Sequence, residues 1–177
     1  MNGAERTLLV DASVLITLAE IDQFALLATL GGNVAVPATV DAEVVAEPAA
    51  SRLDWAIEKG WIRRLDVLQR EELERAASHL GHPLDGELSG DTALLTRALV
   101  VPNPVVVTDD KPLRKTCKAL SIPVSGSIGV LVRTVELGAL DEREAKDALY
   151  AMDEVSARLS VSLVRRAERL IEEAVEE

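Results

Sequence analysis

This chain of 177 residues has little of what usually advertises chemistry or attachment. Its one cysteine, Cys117, can form no internal disulfide and no thiolate metal cluster, so a packing role is expected for it. Aromatic residues make up 2% of the sequence, which leaves little surface for the base stacking that single-strand binders use. The two histidines, His79 and His82, flank a loop at a spacing a metal pair could use, but no further ligands accompany them. No apolar run approaches the roughly 20 residues of a membrane span. A strand is reached by about Thr7, too early for a signal peptide, so a cytoplasmic protein is expected. Positive charge is also scarce: 19 Lys and Arg face 30 Asp and Glu, for a net charge of −11. That excludes holding nucleic acid through a general basic field, and any such contact must be local. An acidic, lysine-poor composition is also what adaptation to salt would produce.

What is present is an apolar fraction of 48% distributed in alternating helical and strand patterns, the sequence form of an α/β layer fold. The length suits one domain with a full core. Strands are expected at about 7–10, 34–36, 61–67, 105–107 and 122–124. Helices are expected at 13–20, at 22–30 with Asp22 as cap, from Pro37 to Pro48, at 51–59 capped by Ser51, and at 69–80. Further helices are expected from residue 87 or 91 to 101, and at 111–120, 127–137, 141–152 and 162–175. Residues 81–86, Gly-His-Pro-Leu-Asp-Gly, read as a loop. The core should span about 7–140. The last 37 residues, 141–177, hold 11 acids and 6 bases and should form a helical appendage with acidic outer faces.

Two segments run from an apolar strand through Asp into a helix: Leu8-Leu9-Val10-Asp11-Ala12-Ser13 and Val105-Val106-Val107-Thr108-Asp109-Asp110-Lys111. Strands this uniformly apolar suit a parallel sheet covered on both faces. Side by side, they would bring Asp11 and Asp110 together outside the carboxyl ends of the strands, where open α/β sheets bind ligands. Converging carboxylates call for a cation, and oxygen ligands suit Mg²⁺ or Mn²⁺. Each acid also has a plainer use. Asp11, Asp110 and Asp91 could be helix caps. Glu43 could be a solvated helix residue, with Glu47 one turn on as its substitute, and Glu87 lies one turn before Asp91.

The order and context of four acids resemble the PIN-domain nucleases, and more closely their VapC-like prokaryotic branch. The matching pieces are Val10-Asp11-Ala12-Ser13-Val14-Leu15-Ile16, Val36-Pro37-Ala38-Thr39-Val40-Asp41-Ala42-Glu43-Val44, Ser89-Gly90-Asp91-Thr92-Ala93-Leu94-Leu95, Val107-Thr108-Asp109-Asp110-Lys111-Pro112-Leu113-Arg114 and Val124-Ser125-Gly126-Ser127-Ile128-Gly129-Val130-Leu131. No single piece is specific, but all five in this order are. The resemblance implies a three-layer α/β/α sandwich with a central parallel sheet and a metal-dependent endoribonuclease pocket. Asp11, Glu43, Asp91 and Asp110 would take its metal-binding and catalytic places. Ser13 and Glu87 are accessory candidates. The family's Thr-x-Asp pattern selects Asp110 over its neighbour Asp109 and makes Thr108 the residue that orients it. RNA is the implied substrate, an antitoxin and a second copy of the chain the implied partners.

Lys111, Arg114, Lys115 and Lys118 give residues 111–118 a charge of +4, and their i, i+3, i+4, i+7 spacing sets them on one helical face. That face begins beside Asp110 and could carry RNA phosphates, or be an ordinary solvated surface. The turn Ser125-Gly126-Ser127-Ile128-Gly129 could meet a phosphate with the N–H groups at a helix N-terminus, Ser127 among them, but it does not match a P-loop. Two other readings compete. A non-catalytic PIN-like interaction module would use the acids structurally, and residues 48–90, longer than compact family members need, favour it. A phosphoacceptor receiver domain is suggested by Asp109-Asp110-Lys111, but its acidic pair follows its first strand and its lysine a late one.

Overall fold

A computed structural model describes residues 5–66, 68–82, 84, 87–156 and 159–176. Its centre is a parallel sheet of five strands: β1 (Thr7–Val10), β2 (Asn33–Pro37), β3 (Ile62–Leu65), β4 (Pro104–Val107) and β5 (Val124–Ser125). They lie in the order β3-β2-β1-β4-β5. The chain builds outward from β1 to β3, returns to the other side of β1 as β4, and continues outward to β5. The point where the order reverses is therefore the β1–β4 pair, with Val10 opposite Val107. Leu9, Val10, Ala35, Val36, Val106 and Val107 are buried, as strands covered on both faces must be.

Helices cover both faces, so the three-layer α/β/α sandwich expected from the sequence is the fold. On one side α1 (Ala12–Glu20), α3 (Ala49–Glu58), α7 (Ser127–Glu136), α8 (Glu142–Val155) and α9 (Val161–Val175) pack together. On the other lie α4 (Arg70–Leu80), α5 (Gly90–Val100) and α6 (Lys111–Ala119), while the short α2 (Ala38–Glu43) leads off β2 and touches α5. Gln69 and Glu72 close a capping box on α4, and Asp141 and Glu144 another on α8. The C-terminal pair joins the main core: Ala145, Leu149, Met152, Ala167 and Ile171 are buried in the same apolar cluster as the strands. Lys146 Nζ ties α8 to α9, reaching Glu142 at 2.7 Å and Glu172 at 2.6 Å. Residues 48–90 contribute the edge strand β3 and the helices that flank it. No described helix is long and apolar enough to cross a membrane.

The elements depart from expectation at a few places. Residues 24–29 form a 3-10 helix, bounded by Asp22 and Gly31, both in left-handed conformation. Asp22 caps nothing there, and its carboxylate pairs with Arg52 at 2.8 Å. Helix α2 stops at Glu43 instead of continuing to Pro48, and Ser51 lies inside α3 rather than at its cap. The expected loop 81–86 includes Pro83, Asp85 and Gly86, and the expected strand 61–67 ends at Val67. These four lie outside the described residues.

Candidate active site

The reversal of strand order puts the ends of β1 and β4 beside each other, and the residues that follow them interlock. Asp11, only 8% exposed, caps α1: its Oδ1 accepts from Ala12 N at 2.8 Å. Its Oδ2 accepts from Ser13 Oγ at 2.9 Å and from Thr108 Oγ1 at 2.7 Å. The same two hydroxyls reach back to the turn after β4, Thr108 Oγ1 accepting from Asp110 N at 3.0 Å and Ser13 Oγ from Asp109 N at 3.2 Å. Thr108 thus orients the Asp11 carboxylate, not that of Asp110 as the sequence pattern suggests. In a parallel pair the residue after Val107 lies beside the residue after Val10, and Asp11 is the nearer acceptor.

Asp110 caps α6 with Oδ1, which accepts from Leu113 N at 2.8 Å. Glu43, the last residue of α2, sends Oε1 to the N-terminus of α5, where Gly90 N donates at 2.7 Å. A Cβ at Gly90 would collide with the Glu43 carboxylate, so the approach requires glycine. Asp91, in the first turn of α5, accepts through Oδ1 from Thr92 N at 2.9 Å and from the Ser89 hydroxyl. In each of these three acids the pattern is the same. One oxygen is held by a backbone N–H, and the other, Glu43 Oε2, Asp91 Oδ2 or Asp110 Oδ2, meets no protein donor among the described residues.

The four carboxylates interact electrostatically. Burial pushes Asp11 above the ordinary carboxylate range, opposed by its hydrogen bonds to Thr108, Ser13 and Ala12, and the charge of Asp110 pushes it further up. Glu43 is also raised, first by desolvation, against the bond from Gly90 N, and then by the charges of Asp11 and Asp91. Repulsion therefore links Asp110 to Asp11, Asp11 to Glu43, and Glu43 to Asp91. Among the described residues no Lys or Arg pairs with any of the four. Nor do any three described Asp, Glu, His or Cys side chains close into a cage around one ion. Mg²⁺ does not need one, since it keeps several waters and is often held by one or two carboxylates together with substrate phosphates. A donor set of mutually repelling carboxylates with free oxygens suits such a hard cation.

The remaining sequence candidates fall outside this group or serve it structurally. Glu87 is exposed before α5, with no hydrogen bond to the four acids among the described residues. Glu47 turns away, accepting from Ser51 N and Oγ on the first turns of α3. Asp109 is committed to α7: its Oδ1 accepts from Ser127 N at 2.8 Å and its Oδ2 from the Ser127 hydroxyl. Both Ser127 donors are thereby engaged, so the anion at this helix N-terminus is the protein's own. Gly126 permits the contact, because a Cβ there would strike Asp109 Oδ1 and Arg114 Nη1. Arg114 Nη1 donates to Thr108 O at 2.9 Å, which makes this arginine a brace on the end of β4. Sequence reasoning gave Gly90 no role and read Gly126 only as part of a glycine-rich turn, since close approach of a distant carboxylate leaves no local mark. Cys117 is buried and its thiol is pushed up to about 11 by desolvation, in keeping with packing.

A family model described as a PIN domain matches residues 7–173. No curated protein and no solved structure matches the chain.

Proposed function

The chain belongs to the PIN-domain family, a nuclease-type fold, and from that premise we propose that it is a Mg²⁺- or Mn²⁺-dependent endoribonuclease. Its pocket would be formed by Asp11, Glu43, Asp91 and Asp110. The observation that carries this reading is the chain of repelling carboxylates at the reversal point of the sheet, with no protein cation among the described residues to neutralise it. Structural caps alone would not require Glu43, from a different helix, to share the field of Asp11 and Asp91.

A divalent cation held by these carboxylates would supply charge neutralisation and Lewis-acid activation at the scissile phosphate. The protein's part is preorganisation. Ser13, Thr108 and Ala12 N fix the Asp11 carboxylate, Leu113 N fixes Asp110, and Gly90 N fixes Glu43. The oxygens left free, Glu43 Oε2, Asp91 Oδ2 and Asp110 Oδ2, are available to hold the ion and to accept a proton from the attacking water. Hydrolysis adds that water to phosphorus and breaks one phosphorus–oxygen ester bond, the departing oxygen leaving with a proton. No cysteine or histidine nucleophile is needed.

The resemblance to the VapC-like branch supports a narrower role as the toxin of a toxin–antitoxin pair, the antitoxin placing a basic side chain over the acids. The direct test incubates purified protein with RNA in Mg²⁺, Mn²⁺ or EDTA. Metal-dependent cleavage lost in Asp11→Asn and Asp110→Asn is expected. A protein that cuts no RNA with either ion, and whose metal binding those substitutions leave unchanged, is instead a non-catalytic module.

A further inference from the structure

Helix α6 begins at the residue after Asp110 and is divided lengthwise. Leu113 and Cys117 point into the core, while Lys111, Lys115 and Lys118 are exposed and, with Arg114, border an open space of about 300 Å³ between their side chains. Arg114 is half-buried and already engaged with Thr108 O. The three lysines make no ion pair among the described residues, although the chain carries 30 acids against 19 bases. Residues 111–118 contain no acid at all.

We infer that the Lys111–Lys115–Lys118 face of α6 is a phosphate track that holds the RNA strand as it leaves the acidic pocket. The inference rests on the nuclease reading for its substrate. It adds where the strand runs and which cations touch it. The occupant follows from charge and geometry. A strongly acidic protein repels a polyanion except where cations are concentrated, and this concentration starts one residue from a proposed metal ligand. From Lys111 to Lys118 the helix rises about 10 Å, the length of roughly three stacked nucleotides. Lysines with free ammonium groups act on phosphates as point charges, and the scarcity of aromatic side chains agrees with a track that grips backbone without reading bases. Arg114 is half-buried and spends Nη1 on Thr108 O, so it acts as a positioning residue for the end of β4 and the three exposed lysines carry the contact.

The test measures binding of a short fluorescein-labelled oligouridylate in EDTA, across a series of salt concentrations, for wild type and for Lys111→Gln/Lys115→Gln/Lys118→Gln. The triple variant should bind at least about tenfold more weakly at low salt, and its slope of log K against log salt should be shallower by about 2, near 0.7 for each lost contact. The corresponding triple Lys→Arg variant should restore both, and Arg169→Gln on α9 should alter neither. Unchanged circular dichroism and Tm establish that the triple variant is folded. An unchanged slope and affinity would overturn the track. So would a competing polyglutamate that displaces the oligouridylate from wild type at comparable charge concentration, since the face would then suit an acidic protein segment. Because binding is read without metal, the two readings fail separately. RNA bound through these lysines but never cut removes the nuclease and leaves the track, and RNA cut with an unmoved slope removes only the track.

Discussion

Thr108 Oγ1 donates to Asp11 Oδ2 at 2.7 Å across 97 residues of sequence, and the same oxygen accepts from Asp110 N. One fully buried hydroxyl thus joins the acid that follows β1 to the turn that follows β4. Thr108→Val keeps the shape and removes the bond. A buried carboxylate loses a donor and a backbone N–H loses its acceptor, which should cost about 1–3 kcal/mol in urea unfolding. Thr108→Ser should stay close to wild type. Equal stability of the valine and serine variants would show that the bond does not hold Asp11.

The pH dependence of the metal-free protein should carry the mark of Asp11 and Glu43. Both are raised in the folded state above their ordinary values of 3.8 and 4.5. Their contribution to stability is therefore complete below those values and is lost as pH rises through the raised ones. Glu43→Gln keeps an acceptor for Gly90 N and removes the charge. Its metal-free Tm should match wild type near pH 4 and exceed it increasingly toward neutrality, and Mn²⁺ at neutral pH should raise the wild-type Tm by the larger amount. Superimposable Tm–pH curves would contradict this.

The adjacent acids Asp109 and Asp110 should respond in opposite ways. Asp109→Asn weakens the contact that anchors Ser127 N and Oγ, at a cost of about 1 kcal/mol or more, while metal-dependent cleavage per folded molecule persists. Asp110→Asn retains a competent cap for α6, since Asn and Asp cap about equally well. It should leave stability nearly unchanged and abolish cleavage. Denaturant curves and cleavage rates on the same two preparations separate the roles, and loss of cleavage in Asp109→Asn at full folding would reverse the assignment.

Gly90→Ala probes the approach of α2 to the start of α5. Gly90 is the first residue of α5, and the nearest atoms a Cβ would meet are those of the flexible Glu43 carboxylate, so the fold should survive while that carboxylate is displaced. Weaker Mn²⁺ binding by isothermal titration is expected, with the fold retained. An alanine variant that binds Mn²⁺ as wild type does would remove Glu43 from the metal site.

Much of the architecture was legible because it rests on local patterns. Apolar runs buried on both faces mark β1 and β4, and helical patterning marks α4 to α9, most bounds agreeing within two residues. The misreadings arose where a distant partner decided the outcome. Asp22 looks like a cap until Arg52 claims its carboxylate. Glu47 and Glu43 are equivalent on an extended helix, but α2 ends at Glu43, where Gly90 N captures one and Ser51 the other. Asp109, passed over in favour of Asp110 by the Thr-x-Asp pattern, does stay outside the group of four acids, but nothing near it in the chain reveals that it anchors Ser127.

From its order of residues alone, this protein is bound to a parallel α/β sandwich with carboxylates delivered at strand ends, because burial and strand alternation act through neighbouring residues. Which side chain orients which carboxylate was decided only by the packing of β1 against β4 and of α2 against α5, segments that lie far apart in the chain. Hydrogen bonds and repulsion depend on ångström distances between such segments, and sequence spacing does not contain those distances.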